Sequence, residues 1–453
     1  MIVVSHRGPV SFRREPDGQF TARRGAGGVV SALAPLLTDR ADAHWIAAAI
    51  GEDDRAAVAA GAVSTPGLNV ELVSFDPELH RLHYDVMSNR ILWFCFHGLF
   101  NLPSEPNFDR SMHAAWDAYR TVNHAFAEAI ATRASAGEVV LVQDLQLMLV
   151  PAFLRELRPD LAIAHFTHTP FCGPMELRVL PDPIAEELCA SLADTPSGFH
   201  TERWAEAFRR CARDVLGRDA SSTFAASFGP DPEDLAAASA TPEAAESLHA
   251  LESQIGDRRC IVRSDRVELS KNIGRGFLAF DELLETHPEW RDRVTFVAML
   301  NPSRESIVEY RNYRTDVEAI AARVNARWGT ADWQPIVLDT RDNFPRSVAA
   351  LERADVILVN PVRDGLNLVA MEGPLLNERD AVLCLSREAG AFELLGEHCL
   401  EVHPFDVSQT SEALHAALSM APAERAVKRV GLQAAARSRP AENWLTELVN
   451  RAR

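Results

Sequence analysis

The stretch NPVRDGLNLVAME, residues 360–372, carries side chains suited to binding anions and hydroxyl groups where a strand gives way to a helix. It follows the run ADVILV, whose apolar residues are typical of a strand buried on both faces. Asp364 comes just past the strand end, and residues 366–368 would open a helix whose unpaired N–H groups attract phosphate. Glu372 is placed to accept hydrogen bonds from a ribose diol. The alternative is that Asp364 or Asn367 only caps the helix.

A second charged stretch, RSDRVELSKNIGRG at 263–276, also follows an apolar strand. Arg266 and Lys271 are five residues apart in a polar loop that precedes a helix. Two cations in such a loop can bind a diphosphate, because unlike charges attract strongly at short range near a protein surface. The alternative is that both are solvated surface charges, which is the usual fate of arginine and lysine.

Glycine and histidine mark two further stretches. Arg7 follows the first strand in SHRGPV, and Gly27 and Gly28 precede a helical segment in RRGAGGVVSAL, where a bare backbone can approach a ligand closely. His165 and His168 in HFTHTPFCGP lack a carboxylate or cysteine at a spacing that would complete a metal site. We therefore predict core histidines here, with no metal and no cofactor. No G-x-S-x-G, H-E-x-x-H or P-loop string occurs, so hydrolase, zinc-protease and P-loop functions lack support.

Apolar runs that alternate with amphipathic segments predict an α/β protein with parallel sheets. The predicted strands are IVVS near residue 2, HWIAAAI at 44–50, ILWFC at 91–95, VVLVQ at 139–143, AIAHFT at 162–167, RCIVRS at 259–264, VTFVAML at 294–300, PIVLD at 335–339, DVILV at 355–359 and AVLCL at 381–385. The stretch 229–259, rich in Pro, Ala and acidic residues, indicates a domain boundary there or just before it. The pattern predicts two Rossmann-like, doubly wound halves whose ligands lie at the carboxyl ends of the strands, facing a central cleft.

Composition narrows the classes of partner. A formal net charge of −18 would repel nucleic acid and anionic membranes, whereas small anionic substrates can still bind a local cluster of cations. No apolar run approaches the roughly 20 residues that span a bilayer, and the N-terminus lacks the features of a signal peptide. Seven scattered cysteines without a C-x-x-C pair are typical of reduced thiols, so we expect a cytoplasmic protein.

Together these stretches resemble the trehalose-6-phosphate synthases, which are retaining glycosyltransferases of the two-domain GT-B fold. RDGLNLVAME is similar to that family's RDGMNLVAKE, and DRVELSKN to its ERLDYSKG; the resemblance covers nearly the whole chain. It implies an acceptor-binding N-terminal domain (1–235) and a nucleotide-sugar-binding C-terminal domain (236–435). Residues 436–453 would form a helix that packs back on the N-terminal domain.

The resemblance also implies roles for single residues. The implied donor set is Asp364 for the sugar, Gly28, Arg266 and Lys271 for the diphosphate, the backbone of Leu366, Asn367, Leu368 and Val369 for diphosphate and ribose, and Glu372 for the ribose. The implied acceptor set, for glucose 6-phosphate, is Arg7, Tyr84, Trp93, Asp144 and Arg304. His168 would lie beside the donor sugar, and it completes an implied catalytic set with Arg266, Lys271 and Asp364.

Some residues depart from the family strings. The family's HDYH reads QDLQ at 143–146, Leu269 replaces a tyrosine and Leu366 replaces a methionine. These changes resemble the relatives that couple sugar mimics, such as validoxylamine-phosphate synthases, whereas the retained Tyr84 favours a sugar-phosphate acceptor.

The expected function is transfer of glucose from GDP-glucose or UDP-glucose to glucose 6-phosphate, giving trehalose 6-phosphate with retention. One alternative is a pseudo-glycosyltransferase that joins a nucleotide-linked cyclitol to a phosphorylated acceptor. Another is a sugar-phosphate sensor without turnover.

No pair of carboxylates stands out as nucleophile and acid, so the resemblance implies front-face attack assisted by the leaving phosphate. The base would contact the loop LDTRDNFP at 338–345. Asp342 and Asn343 there could accept hydrogen bonds from guanine N1 and N2, which favours GDP-glucose, with UDP-glucose next. The alternative is that Asp342 only forms a turn.

Overall fold

The fold was analysed in a computed structural model that describes residues 1–25, 27–38 and 40–453. The chain divides into two compact units, Met1–Phe228 with Ala441–Arg453, and Gly229–Pro440. The expected boundaries at 235/236 and 435/436 fall inside two helices of the second unit, Pro232–Ser239 and Pro422–Arg437. The division therefore lies in the loop before Pro232–Ser239 and in the loop after Pro422–Arg437.

The first unit is built on a parallel sheet of seven strands in the order β5-β4-β1-β6-β7-β8-β9, with an antiparallel β2-β3 hairpin beside it. Its strands are β1 Ile2–Ser5, β2 Val10–Arg14, β3 Phe20–Arg24, β4 His44–Ala48, β5 Asn69–Val73, β6 Val139–Gln143, β7 Ala162–Thr167, β8 Ser197–Phe199 and β9 Phe224–Ala225. Its helices are α1 Gly28–Leu37, α2 Glu52–Ala59, α3 Pro77–Arg81, α4 Trp93–His97, α5 Arg110–Arg133, α6 Val150–Leu157, α7 Pro174–Leu177, α8 Asp182–Ala193, α9 Glu202–Leu216 and, from the end of the chain, α19 Ala441–Ala452.

The second unit has a parallel sheet of six strands in the order β12-β11-β10-β13-β14-β15. Its strands are β10 Arg259–Arg266, β11 Val294–Asn301, β12 Ile336–Asp339, β13 Val356–Val359, β14 Val382–Ser386 and β15 Leu400–Val402. Its helices are α10 Pro232–Ser239, α11 Pro242–Ile255, α12 Ile273–Thr286, α13 Val308–Trp328, α14 Phe344–Arg353, α15 Val369–Leu376, α16 Phe392–Leu395, α17 Val407–Ser419 and α18 Pro422–Arg437.

Both sheets reverse their strand order at one point. In each unit the first parallel strand lies inside the sheet, the next two are added on one side, and the chain then crosses to the other side. The reversal falls between β1 and β6 in the first unit and between β10 and β13 in the second. Loops that leave the carboxyl ends of such neighbouring strands diverge and form a crevice, which is where open α/β sheets bind ligands.

The apolar strands are buried on both faces. In β10, Ile261 and Val262 are both fully buried, yet they belong to different hydrophobic clusters on opposite sides of the sheet. Successive side chains of a strand point to opposite faces, so each cluster covers one face of the sheet. Continuous apolar runs were therefore a sound signal for the parallel strands.

The predicted strand ILWFC at 91–95 is wrong, because these residues are helical. A wide π-helical segment, Leu82–Leu92, leads from α3 into α4, and α4 ends at Gly98 with φ 65°. Residues 91–95 are buried without alternation, and a short, uniformly apolar run does not distinguish a strand from a buried helix.

The stretch 229–259 forms α10 and α11, and the side chains of Asp231 and Thr241 cap their first turns. All seven cysteines are buried free thiols. Among the described residues, no helix combines the length and apolar character that crossing a bilayer requires.

One close backbone contact fixes the loop after β13. Gly390 N–H donates to the carbonyl of Asp364 at 3.1 Å, and Ala391 N–H donates to that of Leu366 at 2.8 Å. A Cβ atom at Gly390 would lie 2.0 Å from the carbonyl oxygen of Gly365. Only glycine allows the two backbones to approach this closely.

Replacing Gly390 with alanine should force this loop away from its partner. We expect Gly390→Ala to lower the free energy of unfolding by about 1–3 kcal/mol, the usual cost of overpacking, as measured by urea unfolding. The control is Gly274→Ala on α12, where the new Cβ would meet only the flexible Ile320 Cδ1 at 3.1 Å and alanine favours the helix. Equal losses in the two variants would contradict the close-contact argument.

Candidate functional site

The strand-order reversal of the second unit brings Lys271 and Asp364 together. Lys271 lies in the short 3₁₀ turn Leu269–Lys271 after β10, and Asp364 lies in the loop after β13. Lys271 Nζ donates to Asp364 Oδ2 at 2.6 Å, with side chains 13% and 16% exposed. The two residues that sequence assigned to different parts of a donor thus form one ion pair.

The lysine is held in its charged form. Burial by itself would lower the pKa of Lys271, but the carboxylates of Asp364, Asp265 and Glu268 outweigh it and raise the pKa. A permanent cation therefore lies at this strand end, where it can attract a phosphate.

Asn367 joins Asp364 to the start of α15. Its Nδ2 donates to Asp364 Oδ2 at 3.1 Å, and its Oδ1 accepts from the N–H of Ala370 at 3.2 Å. Its φ of 78° is incompatible with a helix, so the expectation that residues 366–368 open the helix is wrong and α15 begins at Val369. Asn367 does cap the helix, as the alternative interpretation had it.

The other predicted residues of this turn differ in what they can offer a ligand. Leu366 is only 5% exposed and belongs to the core, so its side chain cannot contact a ligand, although its backbone can. The N–H groups of Leu368 and Val369, at the first turn of α15, donate to no other backbone group in the described part of the chain. They are the orphan donors that a helix start presents to an anion.

Glu372 lies on the first turn of α15 and is half-buried. Burial raises the pKa of its carboxyl to about 7, although the charge of Lys271 opposes the shift. Across the described residues, no hydrogen-bond partner is recorded for this carboxyl. It is therefore available to hydroxyl groups of a ligand.

Arg266 and Arg304 meet at a carboxylate that the sequence analysis missed. Arg266 ends β10, and Arg304 follows β11; their Nη1 atoms lie 3.0 and 3.4 Å from Glu268 Oε1. Arg304 Nη1 also donates to the Tyr310 hydroxyl at 2.8 Å. Glu268 escaped notice because an acidic residue in a loop is usually exposed, whereas this one is fully buried.

A second residue that the sequence did not reveal, Arg263, holds the loops after β10 and β13 in place. This arginine is fully buried inside β10 and contacts Asp265 Oδ2 at 2.8 Å, Asn360 Oδ1 at 3.2 Å and the Lys271 carbonyl at 2.9 Å. The place of Arg263 in the predicted strand RCIVRS, directly after the apolar residues 260–262, was the available signal, since a buried charge must be paired.

The loop after β12 contains the residues predicted to contact the base. Asn343 Oδ1 accepts from the N–H of Arg346 at 3.1 Å and so caps α14. Asp342 is exposed, with no hydrogen bond recorded to any described residue. Of the two, only Asp342 keeps its side-chain oxygens available for a ligand.

In the first unit, Arg7 and Asp144 lie at neighbouring strand ends. β1 pairs with β6 in a register that places Ser5 opposite Gln143, and Arg7 and Asp144 follow these two residues. Asp144 has φ 71°, an unusual backbone conformation for a residue other than glycine and one that is concentrated at functional sites. Its Oδ1 accepts from the N–H of His168 at 3.1 Å, so the structure brings these two predicted residues together.

The imidazole of His168 is hydrogen-bonded on both sides. Nε2 lies 2.9 Å from Gln143 Oε1, and Nδ1 lies 3.1 Å from His200 Nε2. An amide oxygen can only accept, so Nε2 of His168 carries the proton and Nδ1 accepts from His200. Burial lowers the pKa of His168 to about 3. His168 is therefore a neutral side chain of fixed tautomer, not a proton donor poised near pH 7.

Tyr84 and Trp93, the predicted acceptor residues of this region, occupy the π-helical segment and the start of α4. The ring of Tyr84 stacks on His6 with centroids 4.4 Å apart, and His6 Nε2 lies 3.0 Å from His80 Nε2. Trp93 is 7% exposed and stacks on His97 at 4.2 Å. Tyr84 thus contacts His6, the residue that precedes Arg7 in the sequence. Trp93, in contrast, belongs largely to the core.

Gly28 is the first residue of α1. The preceding Gly27 has φ 132°, which requires glycine, while Ala26 of the same glycine-rich string lies outside the described residues. From the far end of the chain, α19 packs on α1, β6 and β7. Its Trp444 ring lies 5.8 Å from the His168 ring, so this helix covers the histidine that Gln143 and His200 hold.

Among the described residues, one group has the composition of a transition-metal site, namely His287, Glu289 and His415. Its side chains are engaged with each other and with neighbours: Trp290 Nε1 donates to His415 Nδ1 at 3.1 Å, and His287 Nε2 lies 3.1 Å from Glu412 Oε1. The group lies at the end of α12 remote from Lys271, so it has no connection with the strand-end residues.

Buried neutral histidines should make the protein sensitive to acid. Burial lowers the pKa of His6, His83, His165, His168 and His200. Below about pH 6.5 these histidines bind protons in the unfolded chain but not in the folded protein. As the pH is lowered, the free energy of unfolding therefore decreases by up to about 1.4 kcal/mol per pH unit for each histidine.

We expect His168→Gln to flatten this dependence by about that amount per unit between pH 6 and 4, measured by urea unfolding at each pH. The matched control is His124→Gln, at an exposed position on α5, which should keep the slope of the unmodified protein. An unchanged slope in His168→Gln would mean that His168 binds protons equally in both states.

Comparisons with known proteins agree with this architecture. The family model described as glycosyltransferase family 20 matches residues 1–453. The chain is 33% identical over 447 residues to the α,α-trehalose-phosphate synthase (UDP-forming) of Schizosaccharomyces pombe, covering 94% of this chain and 85% of that protein.

Solved structures match over the whole fold. An α,α-trehalose-phosphate synthase (UDP-forming) from Burkholderia vietnamiensis is 27% identical with a TM-score of 0.85, covering 100% of this chain and 99% of that one. An E. coli structure with bound UDP-2-fluoro glucose is 26% identical with a TM-score of 0.83, covering 99% and 98%. The predicted GT-B fold and the predicted enzyme class, a glycosyltransferase, are confirmed. The chain belongs to glycosyltransferase family 20.

Proposed function

We propose that this protein transfers glucose from UDP-glucose to glucose 6-phosphate and so forms trehalose 6-phosphate. The observation that carries the proposal is the Lys271–Asp364 ion pair beside the start of α15, with Glu372 on the same helix turn. It occurs in a chain of family 20 whose relatives from Schizosaccharomyces pombe and Aspergillus niger are named as UDP-forming α,α-trehalose-phosphate synthases.

The second unit would bind the donor. Asp364 accepts hydrogen bonds from the glucose hydroxyls, and the N–H groups of Leu368 and Val369 bind the diphosphate together with Lys271 and Arg266. Glu372 accepts from the ribose diol. One strand-to-helix turn would then contact three parts of one molecule.

The acceptor would be bound by residues with the chemistry of sugar-phosphate recognition. Arg7 and Arg304 offer guanidinium groups to the phosphate, Asp144 accepts from hydroxyls, and Tyr84 offers aromatic surface. His168, neutral and held by Gln143 and His200, would orient Asp144 through its backbone N–H.

The chemistry that follows is positioning and charge stabilisation. As the bond from glucose C1 to the diphosphate oxygen breaks, negative charge grows on the diphosphate, and Arg266 and Lys271 stabilise it. An acceptor hydroxyl that attacks from the face of the leaving group gives up its proton to a phosphate oxygen, and the configuration at C1 is retained. No enzyme carboxylate is needed as a nucleophile in this sequence of events.

For the base, we favour uracil over guanine. Of the two residues expected to accept from guanine, Asp342 and Asn343, the latter has its Oδ1 occupied by the N–H of Arg346. The relatives at 33% and 32% identity are named UDP-forming.

The direct test is turnover with glucose 6-phosphate and either UDP-glucose or GDP-glucose, with and without EDTA. We expect UDP-glucose to give the higher kcat/KM, EDTA to have no effect, and the product to have the mass of trehalose phosphate with the α,α linkage in its NMR spectrum. Turnover only with a nucleotide-linked cyclitol as donor would replace the proposal by the pseudo-glycosyltransferase alternative, and tight binding without turnover would replace it by the sensor.

Arg266→Ala should lower kcat/KM by about 10²-fold, since removing one preorganised donor to developing charge costs roughly this much. The matched control is Arg327→Ala, an exposed arginine of the same unit that pairs with Asp281 and Glu285 and should turn over normally. A value of kcat/KM near that of the unmodified protein for Arg266→Ala would remove Arg266 from the donor site.

A further inference from the structure

We propose that Glu268 is a positioning residue that holds Arg266 and Arg304 on a single carboxylate oxygen and thereby sets the geometry of the diphosphate and phosphate subsites together. Arg266 Nη1 and Arg304 Nη1 lie 3.0 and 3.4 Å from Glu268 Oε1. Ser303 Oγ donates to the same oxygen at 2.9 Å. The inference rests on the proposed function, which assigns the two arginines to two different substrates.

The two arginines depend on Glu268 to different degrees. Arg304 is 8% exposed, is also bonded to the Tyr310 hydroxyl and has φ 48°. The side chain of Arg266 is 51% exposed, and it pairs with Glu268. An exposed arginine samples many rotamers, so the carboxylate is what restricts Arg266 to one orientation.

The carboxylate is well suited to this role because it is buried and charged. Glu268 is fully buried, which by itself would raise its pKa, but Arg266, Arg304 and Lys271 outweigh burial and lower the pKa to about 2. Glu268 Oε2 has no hydrogen-bond partner among the described residues, so the hydrogen bond from Ser303 and both ion-pair contacts fall on Oε1. An arginine has five N–H donors, so one bond to Glu268 leaves Arg266 with donors for a diphosphate.

Loss of the charge would let the cations separate. Without the carboxylate, Arg266, Arg304 and Lys271 repel one another, and the exposed member, Arg266, is free to swing into solvent. Misplacement by about 1 Å can cost an enzyme 10²-fold in rate. The effect should appear in ligand binding even before any bond is broken.

The test compares Glu268→Gln with Glu305→Gln. Glu305 is two residues from Ser303 on the same loop, is 53% exposed and pairs with Arg314, so it controls for the loss of one carboxylate in this region. We expect Glu268→Gln to bind both UDP and glucose 6-phosphate ~10-fold more weakly by calorimetry and to lose ~10²-fold in kcat/KM. Glu305→Gln should match the unmodified protein in all three measurements.

A double-mutant cycle separates positioning from a general loss of stability. If Glu268 acts through Arg266, then adding Glu268→Gln to Arg266→Ala should weaken UDP binding little further. The parallel cycle with Arg304→Ala should give the same result for glucose 6-phosphate. Additive losses in both cycles, or unchanged binding in Glu268→Gln, would overturn the inference.

Two measurements keep the test decisive. Should Glu268→Gln fail to fold, Glu268→Asp, which keeps the charge on a shorter side chain, takes its place: it should bind both ligands at an intermediate level, and binding equal to that of the unmodified protein would count against positioning. Binding of UDP and glucose 6-phosphate without formation of trehalose phosphate would defeat the proposed function, while the binding cycles would still decide the role of Glu268.

Discussion

The buried guanidinium of Arg263 is the interaction on which the donor end of the second unit depends. A charge removed from water costs several kcal/mol unless it is fully paired. Arg263 pairs with Asp265 on its own strand and donates to Asn360 and the Lys271 carbonyl in two loops. Its bond to the Lys271 carbonyl fixes the loop after β10, and its bond to Asn360 fixes the loop after β13. Lys271 and Asp364 can meet at 2.6 Å because this one side chain holds both of their loops.

Backbone strain is concentrated in the loops that follow the central strands of both sheets. Asp144, Asn272, Arg304 and Asn367 all have positive φ, although none is a glycine, and each lies in a loop that follows a central strand. Such conformations cost of order 1–3 kcal/mol and persist where surrounding contacts over-determine them. At Asn272 those contacts are bonds from Nδ2 to the carbonyls of Asn360 and Pro404, at 2.9 and 2.6 Å. The loops are therefore rigid parts of the scaffold, which suits residues that must be positioned accurately.

Sequence predicted the parts of this protein that depend on local pattern. Continuous apolar runs located the central strands of both sheets, because parallel strands are buried on both faces. The same signal failed at residues 91–95, where a buried helix has the same composition. The boundary expected at 235/236 falls inside α10, since a helix rich in alanine, proline and acidic residues resembles a linker in composition.

The spacing of residues along the chain also indicated Lys271, Asp364 and Glu372, which carry recognisable chemistry at strand ends. It could not indicate Glu268, Arg263 or Gln143, because their importance comes from burial and from partners far away in sequence. Nor did it reveal that Asn343 is a helix cap, since capping and ligand binding use the same amide oxygen. The partners of a side chain in the folded structure, rather than its residue type, distinguish a helix cap from a ligand-binding residue.

The place of α19 in the first unit has a consequence for how the protein is made. Residues 1–228 emerge from the ribosome before the second unit, but the unit they form is completed only by residues 441–453. The whole second unit must be synthesised in between, and domains generally fold in the order in which they appear. Until Trp444 arrives, the rings of Phe166 and Phe228, at 5.1 and 4.7 Å in the finished fold, lack this partner. The first unit is thus completed only after the second unit has been synthesised, and so are the surroundings of His168.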